Sequence, residues 1–440
     1  MVQSIQMKRH GLLFFLCCIL LLSYNLGAES GAQLWRFITG GRIRAYPAIA
    51  RDGTAYILSD DRFLYAISAG GEQKWRFFLE DRLDDCFTVG QDHTLYIGYK
   101  TGTLVALHVL GKQIWAFPTK QTIMYSPVQR SDGTLFIITQ EGTLYAISHT
   151  GRLRWTYKLE GAPSAAPVID SDGSIYVPLS EGALLCLHPW GEKKWSLPLA
   201  GAPSSPAIGL DGTVYVGTDR GTFYAIAPFP KIRWTQVCAA ALLSPVIARD
   251  NTIYVSSANG IVYAFFPDGK IQWTVPLEGR ISGSCAVGDS GTIFAGTQKS
   301  LVYAINPFGQ ILWELPVKGE ITTLVLSPKK TLFVGSSDWT LYAFNAEKPA
   351  SSAWPLFQHD FRHSGRSTRP VSIKSVDEIY FDNPDYIYLR AMLLSYEEEF
   401  MKRALEDLEG RVARNEIKES RPYIMFLLEK IAGFGVTNQD

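Results

Sequence analysis

SPAIGLDGTVYVGTDRGTFYAIAPFPKIRWTQV, residues 205–237, is the stretch that decides the fold. It holds four short apolar segments: SPAI (205–208), TVYVGT (213–218), TFYAIA (222–227) and a fourth carrying Trp234. Val, Ile, Tyr, Thr and Phe dominate them, and segments this short and this rich in β-branched and aromatic residues are strands. Asp211-Gly212 and Arg220-Gly221 separate the first three, and Asp-Gly is read as the type I′ turn of a hairpin.

The same unit recurs on both sides. Trp35, Trp75, Trp115, Trp155, Trp195, Trp234, Trp273 and Trp313 follow one another at intervals of 40, 40, 40, 40, 39, 39 and 40 residues. First segments recur as YPAI (46–49), APVI (166–169) and SPVI (244–247), second segments as TLYIGY (94–99), TIYVSS (252–257) and TLFVGS (331–336). Third segments include FLYAIS (63–68), TLYAIS (143–148) and TLYAFN (340–345), and fourth segments KWRFFL (74–79), RWTYKL (154–159) and QWTVPL (272–277). Four antiparallel strands in about 40 residues make one propeller blade. The first three segments occur eight times between Tyr46 and Asn345, the fourth only seven, and the missing copy is LWRFIT at 34–39. The prediction is an all-β, eight-bladed propeller over 34–345 whose last blade is closed by the N-terminal strand, with no open sheet edge.

Both ends differ. Lys8 and Arg9 precede an apolar run from Leu12 to Leu22, followed by small residues at Gly27, Ala28, Ser30 and Ala32. That is the order of a secretory signal, read as residues 1–28. The run is shorter than the ~20 residues of a spanning helix, so no transmembrane span is expected in the mature chain. Cys17-Cys18 lack the small preceding residues of a lipoprotein signal. After a connecting segment, 346–370, the strand pattern stops. Tyr388, Met392, Leu393, Tyr396, Phe400, Leu405 and Leu408 recur at mostly three- and four-residue spacing, which predicts an amphipathic helix from Pro384, broken near Gly410. A second helix is predicted from Pro422, carrying Ile424, Phe426, Leu427, Leu428 and Ile431. This helical tail, 371–440, holds nine basic and fourteen acidic side chains, and its apolar stripes need a cover, either the propeller's flank or a partner.

Across 440 residues, 42 basic side chains balance 42 acidic ones. Phosphate neutralisation needs a basic excess, so nucleic acid is excluded as a principal partner. With the tail negative, the remainder is correspondingly positive. A closed ring satisfies its own edges, and a monomer is expected.

The blade pattern x-P-x-I, D-G-T-x-Y-V-G-T, G-T-L-Y-A-I, G-x-x-x-W resembles the pyrroloquinoline quinone (PQQ)-type repeat, shared by quinoprotein dehydrogenases and BamB-like scaffolds of outer-membrane protein assembly. WD repeats have a similar period, but no periodic Trp here is followed by Asp. WPLFQHDFRHSGRS (354–367) is similar to a segment that accompanies such repeats. For the enzymes, the resemblance implies a calcium ion held by acidic and amide side chains, a Trp under the quinone, an Asp base and often a ring of adjacent cysteines. The blades here leave no room for the enzymes' insertions, and Cys17-Cys18 leave with the signal. Cys86, Cys186, Cys238 and Cys285 fall in different blades and read as small buried hydrophobes, with a Cys238–Cys285 bridge as the alternative.

Asp52, Asp132, Asp172 and Asp211 belong to turns. Asp84-Asp85 are the paired carboxylates nearest the expected channel mouth, and a pair is too few for a calcium cage. Trp190 and Trp339 break the tryptophan period on predicted turns, where they either pack between blades or anchor a partner. These four residues are the candidate partner-binding set. His359-Asp360-x-x-His363 has metal-ligand spacing, but its segment reads as structural. No catalytic, cofactor-binding or metal-binding residue is assigned. The expected function is an exported, non-catalytic scaffold, periplasmic or associated with the outer membrane, with envelope proteins as partners, outer-membrane assembly machinery among them. The alternative is a PQQ- and calcium-dependent oxidoreductase or a propeller that binds a small ligand.

Overall fold

The computed structural model describes residues 30–356 apart from 51, 82–85, 91, 92 and 282, together with 360 and 365. The predicted signal (1–28) and helical tail (371–440) lie outside the described residues, as do Asp84, Asp85, His359 and His363.

Among the described residues, thirty-two strands form eight four-stranded antiparallel sheets. Seven sheets take four consecutive strands, giving blades 1 to 7 over 48–78, 87–118, 128–158, 168–198, 207–237, 246–276 and 286–316. Blade 8 combines Ile321–Ser327, Thr331–Ser336 and Thr340–Asn345 with the N-terminal strand Gln33–Ile38. Closure runs in the register Trp35↔Ala343 to Ile38↔Thr340. Backbone bonds extend it at both ends, from Gly31 to Asn345 (2.8 Å) and from Thr39 to Trp339 (2.9 Å). Buried clusters pass from blade to blade and return: one joins blades 7, 8 and 1, others join 1 to 2, 2 to 3, 3 to 4, 4 through 6, and 6 to 7. The sheets therefore form a closed ring, an eight-bladed β-propeller.

Position in the blade sets the sequence pattern. First strands of neighbouring blades lie against one another around the axis. Second and third strands are buried on both faces, so they read as continuous apolar runs such as Tyr176-Val177 and Leu184-Leu185-Cys186. The fourth strand is outermost, and most of its copies alternate between exposed and half-buried residues, with the periodic Trp on the half-buried side.

The hairpins correct one expectation. A type I′ turn needs positive φ at two residues, yet at Asp52-Gly53 only Gly53 has it (φ 88°). Gly53 N donates to Ala50 O and Ala50 N to Thr54 O. The same pair of bonds at Asp211-Gly212, from Gly212 N to Gly209 O and from Gly209 N to Thr213 O with positive φ at Gly212 alone, makes a three-residue loop, a type I turn followed by one left-handed residue. The Asp52 carboxylate accepts from Thr54 N at 2.9 Å and Thr54 Oγ1 at 2.8 Å. That bonding gives Asp its own turn-forming role without positive φ.

Candidate functional site

Seven of the eight periodic tryptophans are latches between blades. The Trp35, Trp75, Trp115, Trp234 and Trp273 indoles each donate to a carbonyl in the third turn of the next blade, at 2.7–2.9 Å. Over each of these rings lies a glycine of that same turn. A Cβ on Gly151 would stand 2.8 Å from the Trp115 ring, and Gly151 has φ 79°. The latch closes the ring too, since Trp313 of blade 7 meets Gly31 just before the N-terminal strand. These seven rings are engaged between blades.

The turn carboxylates are held as locally. A cation one residue before the periodic Trp reaches back to several of them: Lys74 to Asp52 at 2.9 Å, Arg154 to Asp132, Lys194 to Asp172, and Arg233 to Asp211 at 2.7 Å. Burial alone would raise the Asp132 pKa, but Arg130 and the Thr134 amide and hydroxyl outweigh it and hold the group well below the usual carboxylate range.

The inner edges of three blades are taken by the chain itself. Beyond blade 8, the segment around 348–356 reaches the first strands of blades 7 and 6. Ala350 N donates to Val287 O (2.8 Å), Val287 N to Pro355 O (3.0 Å) and Ile247 N to Trp354 O (2.7 Å). Trp354 is fully buried among blades 4 to 6, and Leu356 joins the cluster of blades 7, 8 and 1. At blade 4, Ile169 N donates to Gly365 O (2.7 Å). An unpaired inner edge is what a channel-bound molecule would find, and here those backbone donors are already satisfied.

Trp190 and Trp339 lie at opposite ends of the ring. Trp190 sits in the third turn of blade 4, stacked on His188 at 4.3 Å with its indole donating to Glu192 (2.9 Å). Burial first, then Lys194, lowers the His188 pKa to about 4. Trp339 sits in the second turn of blade 8 with φ 74° and is 49% exposed. Sequence reasoning missed the neighbours of Trp190 in the repeat. Five residues before the periodic Trp, the third-turn apex is Leu110, Trp190, Phe229 and Phe308 in blades 2, 4, 5 and 7. Leu110, Phe229 and Phe308 are 67%, 37% and 80% exposed. Comparing this one position across the blades would have found them.

The family model described as outer membrane protein assembly factor BamB matches residues 64–208, 189–266 and 258–386. The chain belongs to this family. The crystal structure of BamB from Moraxella catarrhalis superposes with a TM-score of 0.60 at 17% identity, covering 72% of this chain and 99% of that one. The computationally designed protein Ika8 superposes with a TM-score of 0.59 at 16% identity, covering 72% and 100%. At such identities both show the fold alone. No curated protein matches the chain.

Within this BamB family fold, the residues that could serve a calcium–quinone centre stand as follows. No three His, Cys, Asp or Glu side chains among the described residues stand together as metal ligands. The turn aspartates are held in their turns, and seven of the periodic Trp rings in their latches. Cys86, Cys186, Cys238 and Cys285 are not joined in disulfides, so the alternative Cys238–Cys285 bridge is not formed. Burial pushes the Cys238 and Cys285 thiols up to about 11, which keeps them protonated and unreactive. No helix among the described residues is long and apolar enough to cross a membrane.

Proposed function

We propose that this chain is an exported, non-catalytic scaffold of the bacterial cell envelope that meets protein partners through the third-turn face of its ring, a reading supported by a family description that names an outer membrane protein assembly factor. The observation that carries the reading is the row of apices on that face. In five blades the turn already has what the architecture needs, a carbonyl for the indole and a glycine over its ring. Leu110, Phe229 and Phe308 add exposed apolar side chains to third turns, and Trp190 adds a half-buried one. Large apolar and aromatic side chains on rigid turns are what anchor protein partners. Export rests on the N-terminal order of charged, apolar and small residues. The positive balance of the ring and the negative balance of the tail suit contacts between proteins better than contacts with phosphate.

Affinity capture from gently crosslinked envelopes tests this. Recovery of the same membrane-assembly proteins under several growth conditions is the expected result. A preparation that yields no specific partner under any of them contradicts it.

A further inference from the structure

Blades 8 and 1, which meet at the ring closure, break the repeat together at two positions. The third residue of the second turn is left-handed in all eight blades, and five of them use glycine there: Gly102, Gly142, Gly182, Gly221 and Gly260. Blade 7 has a small Ser300, whereas blade 8 has Trp339 and blade 1 has Arg62. The sixth residue of the outer strand is Pro in four blades, Lys158 in blade 3 and Val237 in blade 5, but Ile38 in blade 8 and Phe78 in blade 1. Only blades 8 and 1 depart at both positions, and Trp339, Ile38 and Phe78 are 49%, 62% and 50% exposed. Architecture does not ask for these residues. A bulky side chain at positive φ carries backbone strain that an exposed position does not offset by burial.

The chemistry of the patch is apolar between cations. The Arg62 guanidinium lies 5.0 Å over the Phe78 ring, Arg76 lies 4.4 Å over Phe63, and the two Phe rings meet edge to face at 5.5 Å. Asp60 is engaged by Arg44, Asp61 by the Tyr65 hydroxyl and the Gly40 amide, and Asp338 by the Tyr342 hydroxyl, while the exposed Glu80 follows Phe78 by two residues. The patch therefore suits an amphipathic segment with an aromatic ridge flanked by carboxylates.

This chain carries one. In the helix that spacing predicts from Pro384, Tyr396 and Phe400 lie one turn apart on the apolar stripe, and Glu397 and Glu399 fall on either side of it. We propose that the Trp339–Ile38–Phe78–Arg62–Arg76 patch seats the chain's own acidic tail through Tyr396 and Phe400, with Glu397 and Glu399 meeting the two arginines. The reach is sufficient. Eighteen residues, 366–383, span up to ~60 Å and a helix to Tyr396 adds about 20 Å. Eight four-stranded blades make a ring about 50 Å across. This seat is on the face opposite the third-turn apices, so it does not depend on the scaffold reading.

The test uses the purified full chain, with a photoreactive benzophenone side chain in place of Phe78. Irradiation should give intramolecular adducts mapping to residues 388–408. Adducts confined to the ring, adducts to a second copy, or none at all would overturn the proposal. Arg62→Glu with Arg76→Glu should cut the tail adduct about tenfold. Adding Glu397→Arg and Glu399→Arg should restore it. Loss without restoration would overturn the pairing, and a thermal melt of each variant checks that the ring remains folded.

Discussion

Gly151 and Gly70 differ in one respect that matters. Gly151 has φ 79° with the Trp115 indole where its Cβ would be, whereas Gly70 has open space beyond a distant serine hydroxyl. Gly151→Ala should therefore cost about 2 kcal/mol in urea unfolding, and Gly70→Ala close to nothing. At Trp339 the sign reverses. Replacement by the glycine of the sister turns should raise stability by about 1 kcal/mol, seen as a higher urea midpoint at unchanged slope. His188 gives a pH effect. Its folded pKa, about 4, lies below the ordinary histidine value, so the unfolded chain takes up the proton first. Stability from this group is complete above about pH 6.5, falls as pH drops to about 4, and falls no further below that. His188→Phe should flatten that part of the melting-temperature profile relative to wild type. The periodic tryptophans were legible in the sequence because a latch needs the same residue in each blade. Arg62 and Phe78 were not, since a stacked Arg–Phe pair has no spacing of its own.

Elements inside the blade were legible because burial on both faces leaves continuous apolar runs, as at Tyr176-Val177. Turn type was misread at Asp-Gly because the dipeptide serves two hairpin geometries, and the carboxylate bonds that choose between them do not show in a sequence. The segment after blade 8 was expected to be structural on resemblance. Its partners, the inner edges of Val287, Ile247 and Ile169, are distant in the chain and carry no motif. Trp354 is its anchor. Trp354→Ala should cost about 4 kcal/mol and open residues 347–356 to limited proteolysis before any blade is cut. If the blades are cut first, the segment does not have the role assigned to it.

For the molecule as a whole, seven latches, eight sheets and a borrowed N-terminal strand give a rigid ring, and its closure was countable from seven fourth segments against eight of the others. The faces were less legible. Asp84 and Asp85 lie outside the described residues, Trp190 and Trp339 lie at opposite ends, and the exposed apices were visible only once the ring had set one turn position around one rim. That rim is the part of the ring through which the scaffold is proposed to act. Capture of envelope partners should be compared between the wild-type chain, a Leu110→Ser/Phe308→Ser variant, and a Leu34→Ser/Leu312→Ser control on the outer strands. Partner yield should fall about tenfold for the apex variant and hold for the control, all three chains melting alike. Equal yields from wild type and apex variant, or micromolar binding of pyrroloquinoline quinone with calcium by the chain that captures nothing, would contradict it.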